Sequence, residues 1–311
     1  MIPGWIAGEY ERAELELDVR LMARRAGVGL GGGRGVVVEA ERHALAWADG
    51  SRSTCELAGL GGGSATSGPP AGTQGFHVSA REPDEIVDGL EALRHGAVVV
   101  VGGGAAGVEL AACARAVVEG PVTLVEAGDR LMASHDPSVS KRVREELVSR
   151  SISVRLDDEV QVEAGSTQPS HRLTIWATGA EGPTLLRGSG LPVDDLGFVR
   201  VDQHLAVVEV ERLFAVGDCA SLEHDAAPKA GFHAIQQGKV LADNLAAAVG
   251  SWPRPAPHPR RYRPRSDFLT LLNLGDGHAL GTKWGVTLEG RWVRRLKDVI
   301  DRRWVERFQS G

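Results

Sequence analysis

The sequence is poor in the features that would assign it to a specialised class of protein. Aromatic residues make up 5% of the 311 residues, and the three cysteines, Cys55, Cys113 and Cys219, show no CxxC spacing. Isolated cysteines predict neither a metal site nor a local redox disulfide. No run approaches the roughly 18 apolar residues that a membrane-spanning helix needs. A net charge of −6 gives no electrostatic footprint for binding nucleic acid.

What is present is typical of a globular protein with many tight turns. The chain has 42% hydrophobic and 24% charged residues, together with 40 glycines. A chain of this length accommodates two domains, or one domain interrupted by another. The N-terminus lacks a basic region followed by an apolar run, so we expect no secretory signal and a cytoplasmic protein.

The order of the predicted elements indicates a doubly wound α/β domain in the middle of the chain, because buried strands alternate with helices. Strands are predicted over residues 97–101, 121–126 and 152–156, and helices over residues 83–94, 105–118 and 137–150. Residues 160–164 and 172–176 are predicted to form a hairpin.

Shorter elements are predicted on both sides of this domain. Upstream we expect a short helix within residues 9–26, a hairpin of residues 36–40 with 44–48, and a strand over 57–60. Downstream we expect strands near 198–201 and 213–216, a helix over 230–248, a hairpin of 268–274 with 278–282, and a basic helix from about 290.

A glycine-rich turn separates the strand at 97–101 from its helix and reads Gly102-x-Gly104-x-x-Gly107. Gly102 permits the tight turn, Gly104 lets the backbone approach a pyrophosphate, and Gly107 lets the helix lie close to the strand. The helix N-terminus offers N–H groups to the anion. Glu126, at the end of the next strand, would bind the adenosine ribose and repel the 2′-phosphate of NADPH. With strand, helix and acid all in place, an NADH site is favoured over an accidental loop.

A second group of motifs follows in a fixed order. Residues 213–220, LFAVGDCA, form an apolar strand that ends in Gly217-Asp218, and the helical segment PKAGFHAIQQGKVLADNL comes after it. The pair resembles the second FAD motif of the FAD-dependent pyridine nucleotide-disulfide oxidoreductase superfamily. The IWATG at residues 175–179 resembles the crossover by which such chains leave the NAD domain, and Gly63-Ser64 resembles the earlier crossover.

The two ends of the chain resemble particular members of that superfamily. The opening IPGWIAGEY, the tail RWVRRLKDVIDRRWVERF and residues 234–237 are similar to type II NADH dehydrogenases and to the related oxidoreductases associated with selenide, water dikinase. This resemblance implies FAD and NADH as cofactors. It implies a hydride transfer from NADH to flavin and on to a small-molecule acceptor, with a quinone as one candidate.

The resemblance also implies which residues contact the cofactors. Asp218 would bind the ribityl chain of FAD, and the next helix would point its N-terminus at the pyrimidine end of the flavin, where the reduced ring carries negative charge. Together with the NADH turn, the candidate cofactor-binding residues are Gly63, Ser64, Gly102, Gly104, Gly107, Glu109, Glu126, Gly179, Gly217, Asp218, Lys229 and Ala230. Gln236 and Gln237 are the candidate contacts for a quinone. No catalytic residue and no metal ligand is assigned.

The expected fold is α/β, with two Rossmann-like dinucleotide-binding domains, the FAD domain being interrupted by the NAD domain. We expect the FAD domain over residues 1–78 and 183–250 and the NAD(H) domain over 79–182. A linker over 251–266 would lead to a small C-terminal α+β region over 267–311. The FAD domain is expected to be N-terminally incomplete, because the sequence contains no counterpart of the family's first strand, GxGxxG turn and acid.

Two departures from the family leave alternatives open. The disulfide reductases of the superfamily use a CxxxxC near the N-terminus, which this sequence lacks, and Cys113 and Cys219 are interpreted as small core residues. The absent first unit leaves two alternatives to an active flavoenzyme. One is a non-catalytic remnant that binds NADH but not FAD, and the other is a truncated gene model with its start upstream of Met1.

The C-terminal segment, residues 290–311, predicts a basic amphipathic helix. Its apolar residues recur at spacings of three and four and are Trp292, Leu296, Val299, Ile300, Trp304 and Phe308. A helix of this kind with tryptophan on its apolar face suits a membrane surface. The stripe would otherwise pack on the FAD domain or on a second subunit. Peripheral contact with the inner face of the membrane and a homodimer are therefore open alternatives.

Overall fold

The structure is a computed structural model, and it describes residues 1–309 except 32, 34, 40, 41, 43, 69–75, 160–171, 226, 252–257 and 267. The chain divides into two compact units. The first unit comprises Met1–Leu30, Thr66–Gly179 and Leu269–Gly311, and the second comprises Gly31–Ala65 and Ala180–Phe268. Each unit is therefore assembled from segments that are distant in the sequence.

The elements alternate along the chain. The α-helices are α1 (Ile2–Ile6), α2 (Arg12–Leu15), α3 (Val19–Arg25), α4 (Pro83–Ala92), α5 (Ala105–Val117), α6 (Pro137–Ser149), α7 (Thr184–Arg187), α8 (Gly231–Ser251) and α9 (Arg291–Gln309). The strands are β1 (Gly35–Glu39), β2 (Ala44–Trp47), β3 (Arg52–Thr54), β4 (Ala58–Gly61), β5 (Ala65–Thr66), β6 (Phe76–Ser79), β7 (Ala97–Val101), β8 (Val122–Val125), β9 (Ile152–Arg155), β10 (Arg172–Trp176), β11 (Ala180–Glu181), β12 (Val199–Val201), β13 (Leu213–Val216), β14 (Ala220–Leu222), β15 (Thr270–Asn273), β16 (Ala279–Lys283) and β17 (Val286–Gly290).

A five-stranded parallel sheet forms the centre of the first unit, in the order β6-β10-β7-β8-β9. The helices α4, α5 and α6 pack against it. Val98 and Val100 of β7 are fully buried, because β7 has a strand on each side and lies in the core. The prediction of a buried parallel strand over residues 97–101, within a doubly wound α/β domain, is confirmed.

Strand β10 corrects one prediction. The sequence predicts that residues 172–176 form a hairpin with residues 160–164, but β10 pairs in parallel with β6 on one edge and with β7 on the other. Both edges of β10 are taken, so the predicted antiparallel pairing of residues 172–176 is wrong. Residues 160–164 lie outside the described residues. The apolar pattern identifies a strand, but it carries no information about the partner.

A three-stranded antiparallel sheet, β15-β16-β17, also belongs to the first unit. The hairpin of β15 and β16 around Gly275 and Gly277 confirms the prediction, and both glycines have the positive φ angles, +75° and +78°, that such a turn requires. Strand β17 was not predicted. Helix α9 packs on this sheet and buries Val293 and Val305.

Ion pairs join the beginning of the chain to α9 within the first unit. The Arg294 guanidinium donates two hydrogen bonds to Glu9, at 2.8 and 3.0 Å. Glu9 also accepts a hydrogen bond from the side-chain amide of Asn273, at 2.6 Å. The amino group of Met1 lies 3.5 Å from Asp301. The inner face of α9 is thus held by charged contacts as well as by apolar packing.

The apolar stripe predicted on the C-terminal helix is divided between two faces of α9. Four of its residues are 40–54% exposed, namely Trp292, Leu296, Val299 and Ile300. Trp304 and Phe308 are half-buried, with ring centroids 4.9 Å apart. On a helix of 3.6 residues per turn, each spacing of four advances the position by about 40°. Trp304 and Phe308 continue the series from Ile300 in steps of four, so they turn away from the side that carries Trp292. Among the helices described, none is long and apolar enough to cross a membrane.

The second unit contains several small sheets. Strands β1, β2 and β3 form an antiparallel meander, which confirms the first predicted hairpin although residues 40, 41 and 43 are outside the described part. Strand β13 pairs in parallel with β4, and β12 pairs in parallel with β14. Helix α8 packs on the β4–β13 pair, where Leu241 lies against Gly59. The core includes Val199, Leu205 and Ala215.

Candidate functional site

The glycine turn between β7 and α5 has close contacts that only glycine permits. Gly102 has a φ of +112°, and a Cβ at this position would lie 2.4 Å from the Ala177 carbonyl oxygen. A Cβ on Gly107 would lie 1.8 Å from the Gly102 carbonyl oxygen. Gly104 is different, because a Cβ added at this position would have no other atom within 4 Å. The turn is therefore tight on the protein side and open where an anion would approach.

Helix α5 begins directly after this open position. Gly104 is its N-cap residue and provides no side-chain acceptor for the first backbone amides. The first N–H groups of a helix have no partner within the helix, and the helix dipole adds partial positive charge there. The start of α5 is therefore suited to a phosphate group.

Glu126 follows β8 and reaches the same turn. Its carboxylate accepts a hydrogen bond from the Gly103 amide and another from the Gly128 amide, the second at 2.8 Å. A carboxylate has about four acceptor positions, so two backbone bonds leave capacity for ribose hydroxyls. The nearby Arg130 donates to the Ala133 carbonyl oxygen at 2.7 Å. The structure thus brings the predicted ribose-binding acid onto the glycine turn.

Glu109, also a candidate cofactor contact, lies elsewhere on α5. One of its carboxylate oxygens accepts a hydrogen bond from the backbone N–H of Asn273 on β15, at 2.8 Å. Burial raises the pKa of Glu109 above its usual range. Glu109 therefore has a structural partner in the C-terminal sheet, and its contact with a cofactor stays a prediction.

The two motifs assigned to FAD meet in the second unit. Gly217 has a φ of +79°, and a Cβ there would lie 3.0 Å from the Gly62 carbonyl oxygen. That same oxygen accepts a hydrogen bond from the Cys219 amide at 3.2 Å. The Ser64 hydroxyl approaches the Asp218 carboxylate to 3.5 Å. The Gly63-Ser64 and Gly217-Asp218 pairs, far apart in sequence, therefore form one loop cluster, in which Gly63 itself is exposed.

A cavity of about 170 Å³ lies beside this cluster, and Asp218, Lys229 and His233 are among its lining residues. The Lys229 ammonium group donates to the Ala220 carbonyl oxygen and lies 3.8 Å from the centroid of the Phe198 ring. Burial lowers the pKa of Lys229. The cavity is thus lined by one cation, the two carboxylates of Asp194 and Asp218, and one imidazole, a polar set that suits an aromatic ligand with several hydrogen-bonding atoms.

The start of α8 lies at this cavity as well. The Ala230 carbonyl oxygen accepts the His233 amide at 2.9 Å, which places Ala230 at the helix N-terminus. Gln237 is buried, and its side-chain oxygen accepts a hydrogen bond from the Gly217 amide at 2.7 Å. Gln236 is half-buried. Gln237 therefore supports the Gly217 turn, a contact that the sequence analysis missed, and the role of Gln236 and Gln237 at a quinone stays a prediction.

The IWATG crossover is fixed by a hydrogen-bonded clasp within the first unit. The Gly179 carbonyl oxygen accepts hydrogen bonds from the Ser67 amide at 3.1 Å and from the Ser67 hydroxyl at 3.2 Å. The Thr178 hydroxyl donates in return to the Ser67 carbonyl oxygen. The outgoing and returning chains are thus held together at this point.

Two of the three cysteines are buried. Cys113 and Cys219 are 0% and 1% exposed, and burial raises the pKa of both thiols. Their interpretation as core residues is confirmed. Cys55 is exposed. In the part of the chain that the structure describes, no group of acidic residues, histidines and cysteines could hold a metal ion.

One set of polar residues was missed by the sequence analysis. The buried positions of α8 include His233, Gln237, Val240 and Asn244. Their spacing of four, three and four residues is that of a single helix face. Three polar residues on a buried face indicate hydrogen-bonded contacts inside the protein, because polar groups are rarely buried without partners. This spacing was the signal available in the sequence.

Comparison with known proteins identifies the family of the chain. The sequence profile of the family described as "Pyridine nucleotide-disulphide oxidoreductase" matches residues 14–238. The chain belongs to this family. Its members are NAD(P)H-dependent oxidoreductases with FAD and NAD(H) as cofactors, which agrees with the predicted Rossmann-type fold and with the resemblance to type II NADH dehydrogenases.

Named relatives show how much of a family member the chain represents. It is 26% identical over 225 residues to the type II NADH:quinone oxidoreductase of Haemophilus influenzae, covering 63% of this chain and 50% of that protein. It is 28% identical over 209 residues to the demethylphylloquinone reductase NdbB of Synechocystis, covering 62% and 50%. The chain thus spans about half the length of these relatives.

Among solved structures, the sulfide:quinone oxidoreductase of Aquifex aeolicus has a similar fold. The TM-score is 0.78 at 14% sequence identity, and the match covers 100% of this chain and 82% of that one. At this identity the likeness concerns the fold alone.

The glycine turn yields a matched pair of substitutions. Gly107→Ala should lower the free energy of unfolding by about 1–3 kcal/mol or more, because its Cβ cannot fit against the Gly102 carbonyl oxygen. Gly104→Ala should leave stability unchanged, since the methyl group enters open space, but should weaken NADH binding at least about tenfold by blocking the approach of the pyrophosphate. Denaturation midpoints and NADH titrations measure the two effects. Unchanged NADH binding by Gly104→Ala would place the pyrophosphate elsewhere.

Proposed function

We propose that this chain supplies the NADH site and the flavin-facing loops of an FAD-dependent NADH:acceptor oxidoreductase. The observation that carries the proposal is the meeting of three features at one helix N-terminus, namely the tight turn at Gly102, the open position at Gly104 and the carboxylate of Glu126. When bound, FAD takes a hydride from NADH and passes the electrons to an acceptor.

On the NADH side, the protein binds NADH and discriminates against NADPH. The amides at the start of α5 receive the pyrophosphate, and Glu126 accepts hydrogen bonds from the ribose hydroxyls. The same carboxylate repels a 2′-phosphate, since two negative charges would face each other with little water between them. Because backbone bonds from Gly103 and Gly128 fix its position, Glu126 cannot readily turn away from a phosphorylated ribose.

On the FAD side, the described residues fit the ribityl chain and the ring. Asp218 offers carboxylate oxygens to ribityl hydroxyls, and Ser64 beside it adds a hydroxyl group. The N-terminus of α8 offers partial positive charge where reduced flavin is negative. Lys229 adds a full charge to the lining of the same cavity. These groups position the flavin and stabilise its reduced state.

We propose a quinone as the electron acceptor. The support is that the relatives from Haemophilus influenzae and Synechocystis are named for the reduction of quinones. No CxxxxC is present, so the sequence offers no cysteine pair for passing electrons to a disulfide. The contact of the quinone with Gln236 and Gln237, and a homodimeric assembly, belong to the same proposal.

A second candidate function is supported by one feature of the second unit. Within the described residues, β13 is the one strand with which β4 pairs. Beside it lies a mainly apolar cavity of about 240 Å³, whose lining includes Val38, Leu45 and Leu60. An open strand edge next to an apolar cavity is the site for one more strand of a doubly wound sheet. Without that strand and its glycine turn, the chain would bind NADH but hold FAD weakly.

We propose further that α9 contacts an anionic membrane surface. Its exposed face carries Trp292, Leu296, Val299 and Ile300. The exposed charged residues of α9 are Arg291, Arg295, Arg303, Glu306 and Arg307, so basic residues outnumber acidic ones on the outer side. Asp298 and Asp301 are engaged in contacts on the inner side. An exposed apolar strip flanked by arginines suits the boundary of a lipid bilayer, because the apolar side chains can contact the acyl chains and the arginines can contact the phosphate groups.

Coenzyme preference tests the NADH site. The unsubstituted chain should bind NADH more tightly than NADPH, and Glu126→Ala should weaken NADH binding roughly ten- to a hundredfold, because a charge-assisted hydrogen bond contributes about 1.5–3 kcal/mol. Substitution of Asp129, an exposed acid in the same loop, provides the control and should leave both affinities unchanged. Binding is measured by fluorescence titration. Equal or tighter binding of NADPH by the unsubstituted chain would contradict this assignment.

Flavin content distinguishes the two candidate functions. The 311-residue chain should purify nearly free of flavin or aggregate, yet a soluble preparation should still bind NADH. A version preceded by a strand–GxGxxG–helix–strand unit should be yellow and should oxidise NADH with an artificial acceptor. Absorption near 450 nm (roughly, the flavin's own property) measures the content. Stoichiometric, tightly bound FAD on the chain alone would show that Asp218, Ser64 and the start of α8 suffice.

Membrane contact is tested by changing the exposed face of α9 while leaving its buried face intact. Replacing Trp292 and Leu296 by glutamate should abolish co-sedimentation with anionic liposomes, because two charges replace the apolar contact. The matched control is glutamate at Val148, which is 56% exposed on α6. Liposome binding that survives the α9 substitutions, or its absence in the parent chain, removes the membrane proposal. A dimeric mass that falls on substitution would assign this face to a second subunit.

A further inference from the structure

His233 is buried and only partly satisfied. It lies in the first turn of α8 and is 2% exposed. Its Nδ1 atom lies 2.7 Å from the hydroxyl oxygen of Tyr262. Its Nε2 atom is buried too, and no hydrogen-bond partner for it exists among the described residues. An unpartnered polar atom in the interior costs free energy, so such an atom in a folded protein needs a physical reason.

The hydrogen bond to Tyr262 indicates which imidazole nitrogen carries the proton. Among the described residues, the Tyr262 hydroxyl hydrogen-bonds only to Nδ1 of His233. If Nδ1 carried the proton, both the phenol proton and the Nε2 lone pair would be left without a partner. If Tyr262 donates its proton to Nδ1, only one donor, Nε2–H, is left without a partner, so this arrangement is favoured. A neutral imidazole that accepts at Nδ1 carries its proton at Nε2.

The surroundings keep this arrangement neutral and rigid. Burial lowers the pKa of His233 and raises the pKa of Tyr262, so both are uncharged at neutral pH. The rings of Phe232 and Phe268 pack edge-on against the imidazole, with centroids 5.3 and 5.2 Å away. The Tyr262 amide donates to the Gln203 carbonyl oxygen at 2.8 Å. Nε2–H is therefore a pre-positioned donor in apolar surroundings.

His233 also lines the cavity that contains Asp218 and Lys229. We propose that His233 is a flavin-binding residue whose Nε2–H donates a hydrogen bond to an acceptor atom of the flavin's pyrimidine ring, a carbonyl oxygen or an unprotonated nitrogen. This inference rests on the proposed function, which assigns the cavity to FAD. The first turn of α8 then acts on one end of the ring with both its backbone dipole and a side-chain donor.

A substitution of matched shape tests the proposal. FMN, which carries the ring and the ribityl chain, is titrated into the full chain and followed by flavin fluorescence. His233→Phe should weaken FMN binding about three- to tenfold, the effect of losing one neutral hydrogen bond. The thermal midpoint should stay equal or rise, because the unpartnered nitrogen is gone. His233→Gln, whose amide can donate from nearly the same place, should restore most of the affinity. His224→Phe, at an exposed histidine of the same unit, is the control.

A second measurement reads the hydrogen-bond chain without relying on flavin. Nitrogen-15 NMR of the histidine rings, assigned with His233→Phe, should show His233 as the Nε2–H tautomer, and FMN should shift that Nε2–H signal. Tyr262→Phe should weaken the tautomer preference. An Nδ1–H tautomer, or FMN affinity unchanged in His233→Phe, would overturn the role of His233 alone. Failure of the parent chain to bind FMN at any concentration would overturn the flavin assignment together with it.

Discussion

The contact between the end of β7 and the start of α5 is the constraint on which the proposed nucleotide site depends. The Gly102 carbonyl oxygen occupies the space where a Cβ of residue 107 would lie. Only because that side chain is absent can the helix begin so close to the strand and present its first amides at the edge of the sheet. The position of the Glu126 carboxylate depends on the same contact, since its partner amide, that of Gly103, belongs to the turn.

The second unit relies on hydrogen bonds where the first relies on close packing. The buried face of α8 uses Gln237 to hold the Gly217 turn and Asn244 to hold the returning chain at Arg260, with bonds of 2.6 and 2.9 Å. A buried hydrogen bond with both partners present changes the free energy of folding little. Removal of one partner leaves the other polar group buried and unpaired, which destabilises the protein strongly. A helix that carries its polar contacts on its inner face thus holds both the Gly217 turn and the segment at Arg260 in fixed positions.

Local signals in the sequence predict the first unit better than the second. The start of α6 is correctly predicted because Asp136 is a local N-cap residue, whose side chain accepts a hydrogen bond from the Ser138 amide. The partners of β10 are not predictable, since an apolar strand pairs equally well with several others. The bond between His233 and Tyr262 joins α8 to a segment that the sequence predicts to be a linker. No local sequence pattern predicts this bond. The sequence motifs identify the glycine turns. The side chains that support these turns come from distant parts of the chain and are not predictable from local sequence.

The ion pair between Glu9 and Arg294 has a consequence for the order in which the two units fold during synthesis. Its two residues come from opposite ends of the first unit, which is completed only when Leu269–Gly311 is available. The second unit lies wholly between these ends. During synthesis the second unit can fold before the last helix of the first unit has been made, so of these two units the one whose first segment is made earlier is completed later.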